Sequence, residues 1–149
     1  MMEMIVNIWI KKQKIVLAGI FVFLISFLVY ILSLAPSIVF GDSADLIIAG
    51  YFWGVAHPTG FPLFTILSKI FSFLPLGNIA FRFNLFSALF ASLAVTVIYW
   101  TILTLIPNTD KEINRILPAV TGSLLFAFSY AFWSQSIITE FLSMEIFLV

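Results

Sequence analysis

Between Val39 and Phe64 the chain reads VFGDSADLIIAGYFWGVAHPTGFPLF, which brings two acids, the sole histidine and a Pro/Gly cluster into one short segment. Asp42 and Asp45 stand three apart, so on a helix they share a face. A carboxylate at a membrane surface can act as general base towards a hydroxyl nucleophile. Two carboxylates can also help hold a divalent cation, although a pair makes an incomplete site. A structural role suits the same residues. Asp42 or Ser43 has the N-cap residue type, Asp45 fits the positive end of a helix dipole, and Asp42-x-x-Asp45 is close to a capping box. The roles are compatible, since one acid can cap while the other faces a cavity.

His57 lies in AHPTGFP, a turn bounded by Gly54 and Gly60 and stiffened by Pro58 and Pro62. Its imidazole can donate to a phosphate or orient an acid, and a structural role is the alternative. Arg82 and Asn84 sit in FRFNLF. A guanidinium there can snorkel to lipid headgroups or grip a phosphate through two parallel N–H bonds. Glu140 follows a long apolar run, where it is either solvated or a further acid on the same membrane face.

These residues must be held by membrane helices. The 149 residues are 62% hydrophobic and only 9% charged, against about 25% charged in a soluble domain. Net charge is zero, which gives no reason to expect a nucleic-acid partner. The absence of cysteine excludes disulfides and thiol chemistry, and a single histidine excludes a histidine-rich zinc site. Ile15–Phe40, Phe83–Thr109 and Ile116–Thr139 carry no charge, and each exceeds the ~20 residues that cross a hydrocarbon core. Spans are therefore expected near 15–34, 84–106 and 116–136, with 137–149 opening a further apolar segment. The first run has the basic flank of a signal peptide, but its core is too long and no small-x-small cleavage site follows, so a retained anchor is favoured.

Leu46–Ser68 is also uncharged, but Gly50, Gly54, Pro58, Gly60 and Pro62 interrupt it. No lipid-exposed span can leave such a backbone unsatisfied. Two short interfacial helices, near 44–53 and 61–73, are expected within an outer loop over 35–82, with a re-entrant hairpin as the alternative. The expected fold is thus an all-α membrane domain of about three spans plus two short helices. Lys11, Lys12, Lys14, Lys111 and Arg115, five of the seven basic residues, fall on one side, which the positive-inside rule makes cytoplasmic. Lys69 and Arg82 run against the rule, so local roles are expected for both.

The pieces APSIVFGDSADL, GVAHPTGFPLF and GNIAFRFNLFSALF, in this order, resemble the polytopic C-superfamily (GT-C) glycosyltransferases. The nearest likeness is to the protein O-mannosyltransferase-related family, whose pattern runs P-(S/T)-V-x-x-x-D-S-G-E, then G-V-x-H-P-P-G-x-P-L, then N-x-A-x-R-x-N-L-x-S-A. The likeness covers roughly residues 34–92, with an echo in FWSQSIITEFLSMEIF. Ala44 and Asp45 replace the Gly and Glu of the pattern, and Thr59 replaces its second proline.

The resemblance implies inverting sugar transfer, mannose-like, from a polyprenyl-phosphate donor to an acceptor hydroxyl on a protein or glycan. Asp42 would be the general base or the acid that positions the acceptor, Asp45 would support it and cap the helix, and Glu140 would be a secondary acid. His57 and Arg82 would meet the donor phosphate. The need for a divalent metal stays open. Members of this family have many more spans, so the chain is expected to be an N-terminal part, with the remaining spans supplied by the rest of a longer protein or by another chain. The rival expectation is a small non-enzymatic membrane subunit or a truncated remnant, packing against larger membrane partners. A prokaryotic cell membrane is the expected location.

Overall fold

A computed structural model describes residues 2–58, 60–109 and 111–149. Thr59 and Asp110 lie outside them. The described residues form seven helices and no strand: α1 (Met2–Leu32), α2 (Ser43–Phe52), α3 (Pro62–Phe71), α4 (Ile79–Leu105), α5 (Ile113–Ala127), α6 (Tyr130–Ser136) and α7 (Leu142–Leu148). Two stretches, Trp9–Leu32 and Ile79–Leu105, are long and apolar enough to cross a membrane, and α5 with α6 makes a third when the bent pair counts as one span. The all-helical membrane architecture and the two short apolar helices agree with the composition and the Pro/Gly pattern.

The core of the bundle is built on α4. Ala88, Ala91, Ala94 and Val95 are fully buried there and pack with Val22 and Tyr30 of α1, Ala119 and Ala127 of α5 and Phe132 of α6. Small side chains let backbones approach closely, which matters where lipid removes the hydrophobic drive between helices. The outward side of α1 stays apolar and exposed, with Leu17, Ile20, Phe21, Leu24 and Leu28 turned away from the core.

The third span departs from the single helix expected over 116–136. α5 and α6 meet at 66° around Phe128 and Ser129. Ser129 adopts an extended backbone, and its hydroxyl donates to the Phe126 carbonyl at 2.7 Å. Local bonds of this kind compete with the helical ladder. The break leaves the Ala127 carbonyl to be satisfied, and the buried Tyr30 hydroxyl donates to it at 2.9 Å. Trp133 Nε1 donates to Ser33 Oγ at 3.1 Å beside the same bend. Irregular backbone at membrane depth is tolerated where protein groups meet it in this way.

The segment between α1 and α4 is compact. Gly50 of α2 lies so near Phe83 that a Cβ there would stand 2.5 Å from a ring carbon. α3 leaves Leu63, Ile66 and Ile70 exposed at the spacing of one helix face. α4 starts at Ile79, five residues before the expected boundary, because the Asn78 side chain caps it by accepting from the Phe81 N–H at 2.8 Å. Arg82 and Asn84 therefore sit inside α4. α7 packs back along α4, with Phe147 edge-on to Phe90.

Candidate functional site

Four of the five candidate residues gather at the end of the bundle where α1 finishes and α2 begins. Asp42 occupies the N-cap position of α2, but its side chain makes no cap hydrogen bond. The cap expected of Asp42 or Ser43 is not formed by either, since the buried Ser43 hydroxyl donates instead to the Thr139 carbonyl at 3.0 Å. Asp45 stands in the first turn of α2, as the dipole favours.

Asp45 also organises the histidine turn. One carboxylate oxygen, Oδ2, accepts the His57 backbone N–H at 2.8 Å and Nδ1–H at 2.9 Å. Donation from Nδ1 fixes the orientation of the ring. The other nitrogen, Nε2, then lies 3.7 Å from Asp42 Oδ2, beyond hydrogen-bond reach. The turn closes where Gly60, at φ +88°, donates its N–H to the His57 carbonyl at 2.7 Å.

Phe61, next in sequence, adopts φ +40°, a left-handed conformation that is costly for a bulky residue and unusual before proline. Its ring stacks on Phe141 at 3.9 Å and meets the His57 ring edge-on at 5.4 Å. The strained residue thus links the histidine turn to the segment that carries Glu140.

Glu140 is positioned by a buried polar network that sequence reasoning missed. Thr139 Oγ1 donates to Asn84 Oδ1 at 2.5 Å, and Asn84 Nδ2 donates to the Ala35 carbonyl at 2.8 Å. Ser87 Oγ accepts the Glu140 N–H at 3.1 Å. Three segments far apart in sequence, around residues 35–43, 84–87 and 139–140, are tied into one platform. Asn84 was visible in the R-x-N-L motif, but nothing local to Thr139 or Ser43 announced their partners.

Electrostatics within the cluster follow from this geometry. His57 is raised above the ordinary imidazole value, chiefly by its bond to Asp45, with the charges of Asp42, Asp45 and Glu140 adding. Asp45 is lowered, first by the His57 backbone N–H and then by the ring. Glu140, partly buried, is raised by desolvation, with the Asp42 charge adding to it.

A raised imidazole favours the folded arrangement below its unfolded value and loses that contribution as pH rises through the folded value. A lowered carboxylate contributes above its unfolded value and loses the effect as pH falls through the folded one. The Asp45–His57 contact is therefore firmest in mildly acidic to neutral solution. In an NMR titration the His57 resonance should move above the ordinary imidazole pKa and fall back towards it in Asp45→Asn. An unchanged titration would remove Asp45 as the organising group.

Arg82 stands apart in its bonding. Nε donates to the Leu76 carbonyl at 2.7 Å, Nη1 to Ser72 at 2.7 Å and Nη2 to Gly77 at 3.1 Å. Its described partners are thus the carbonyls between α3 and α4, and none of them belongs to the Asp42–His57 cluster. Lys69 does similar work: it donates to the Tyr51 carbonyl at the end of α2 and lies 4.4 Å from the centre of the Tyr51 ring. Lys69 and Arg82, for which local roles were expected, thus both tie off backbone carbonyls. Among the described residues no group of three His, Asp or Glu gathers with metal-site geometry.

Residues 42–149 match the family model described as the protein O-mannosyl-transferase TMEM260 N-terminal domain, a span that holds all five candidate residues. The protein O-mannosyl-transferase TMEM260 of Mus musculus is 36% identical over 118 residues, 78% of this chain and 16% of that protein. The protein of the same name from Dictyostelium discoideum is 30% identical over 139 residues, 91% of this chain and 16% of that protein. The chain thus spans about one-sixth of the length of these curated relatives. Both are eukaryotic, so they lend no support to a prokaryotic membrane. No solved structure matches.

Proposed function

This chain belongs to the protein O-mannosyl-transferase TMEM260 N-terminal domain family, and from that premise we propose that it carries the acid–histidine part of a mannosyl-transfer site on the outer face of the membrane. The donor is a polyprenyl-phosphate-linked mannose of the GT-C type, and the acceptor is a hydroxyl on a protein. The observation that carries the reading is the Asp45–His57–Asp42 arrangement. Asp45 spends its carboxylate on His57, whereas Asp42 makes no cap bond and keeps its oxygens for substrate.

In the proposed step the acceptor oxygen bonds to the anomeric carbon as Asp42 takes the hydroxyl proton. The bond from that carbon to the phosphate oxygen breaks, its electron pair leaves with polyprenyl phosphate, and the configuration inverts. His57, whose cationic form the bond to Asp45 favours, presents Nε2–H beside Asp42 to the departing phosphate. Arg82 has five N–H bonds and spends three on carbonyls, so two remain for the phosphate. Glu140 keeps its proton to higher pH than an ordinary carboxyl and serves as the secondary acid. The exposed apolar face of α3 rests on the bilayer surface, and the remaining spans of the enzyme complete the site.

The test is transfer by the full-length protein in membrane vesicles, with radiolabelled polyprenyl-phosphate mannose and an acceptor ectodomain. Label should pass to the acceptor without added nucleotide sugar. Transfer from guanosine-diphosphate mannose alone would overturn the donor, and transfer from neither would return the chain to the subunit reading. Orientation is checked separately. Single cysteines at Ser37 and Thr109 should react with an impermeant thiol reagent in intact cells at Ser37 only, because the basic residues hold the Thr109 end inside. Reaction at Thr109 alone would invert the topology.

A further inference from the structure

At the end of the bundle opposite the Asp42–His57 cluster, Lys11 and Lys14 of α1 and Lys111 of the α4–α5 connection line one cleft of about 370 Å³ with Ile113 and Ile116. Its described lining carries three ammonium groups against one carboxylate, Glu112. That carboxylate is already engaged, with Lys11 at 3.4 Å and Arg115 at 3.5 Å. Among the described residues Lys14 and Lys111 make no ion pair. We propose that this cleft is a headgroup site for an anionic phospholipid.

Topological bias accounts for basic residues in a loop, but not for the meeting of two segments about a hundred residues apart around an apolar floor. Lys14 directly precedes the uncharged run that starts at Ile15, which sets the cleft at headgroup depth. Isoleucine side chains suit the glycerol and first methylenes of a lipid, and the ammonium groups suit its phosphates. The volume lies within the range of about 300–1,000 Å³ usual for ligand sites. The cleft shares no residue with the transfer site, so the proposal does not depend on the proposed function.

The experiment is native mass spectrometry of the full-length protein in detergent with phosphatidylinositol 4-phosphate, phosphatidylcholine or inorganic phosphate. The phosphoinositide should be retained over phosphatidylcholine. The double variant Lys14→Gln/Lys111→Gln should weaken that retention on the order of 25-fold, about 5-fold per lysine. Lys12→Gln, an exposed neighbour outside the cleft, should leave it unchanged. Equal retention of both lipids by the unmodified protein, or an equal loss in Lys12→Gln, would overturn the proposal. Displacement of the phosphoinositide by millimolar inorganic phosphate would overturn the lipid assignment and leave a free-phosphate site.

Discussion

Replacing Asp42 by asparagine in the full-length protein is expected to lower turnover in the proposed transfer by about 10²–10⁴-fold, the usual contribution of a general base. Membrane insertion and protein level should stay unchanged. Asparagine preserves shape and caps helices about as well as aspartate. Here there is no side-chain cap bond to lose, since the Asp42 carboxylate makes none. What asparagine cannot do is accept the acceptor's proton. The assay follows release of polyprenyl phosphate under saturating donor, with the amount of folded protein measured alongside. Near-normal turnover in Asp42→Asn would move the base to another acid, and Glu140 would be the first to test because the same platform holds it. Asp45→Asn should act differently. It releases the His57 turn and shifts the pH profile rather than simply removing a proton acceptor.

Arg82→Lys should destabilise the protein by about 2–3 kcal/mol in the absence of any donor. A guanidinium reaches three carbonyls with a rigid fork, and an ammonium on a flexible stem cannot reproduce that geometry. Hydrogen bonds from charged donors contribute roughly 1.5–3 kcal/mol each. The exposure of two of the three here argues for a total below their sum. Melting temperature of the purified full-length protein without donor reads this effect, and donor affinity at a temperature where both proteins are folded reads the phosphate role. An unchanged melting temperature would remove the loop-tying role. Equal donor affinity would remove the phosphate role. The two outcomes are independent, so Arg82 can keep either role without the other.

Charge-free runs determined the membrane class, because burying even one unpaired charge in hydrocarbon is expensive over the whole length of a helix. The Pro/Gly punctuation of residues 46–68 likewise determined that this stretch breaks into short helices, since a missing amide donor acts on its immediate neighbours. Both are local effects, legible without partners. The expected helices near 44–53 and 61–73 lie within about two residues of α2 and α3. The motif residues were legible too, as chemical types at set spacings.

Tertiary structure decided which of those groups meet. The sequence presents Asp42 and Asp45 as near equals, three apart on one helix. Only the fold of the histidine turn gives Asp45 the backbone N–H and the Nδ1–H of His57 and leaves Asp42, among the described residues, without a side-chain cap bond. Arg82 read as a headgroup or phosphate residue, and folding directs three of its N–H groups to carbonyls of the loop before α4. The bend at Ser129 depends on a hydroxyl from Tyr30, 97 residues away from the carbonyl it satisfies. Asn84 and Thr139 are 55 residues apart and meet inside the bundle. A sequence supplies donors and acceptors in number, but low-dielectric packing selects the pairs, because a buried polar group left unpaired is costly and only the assembled helices bring most partners within reach.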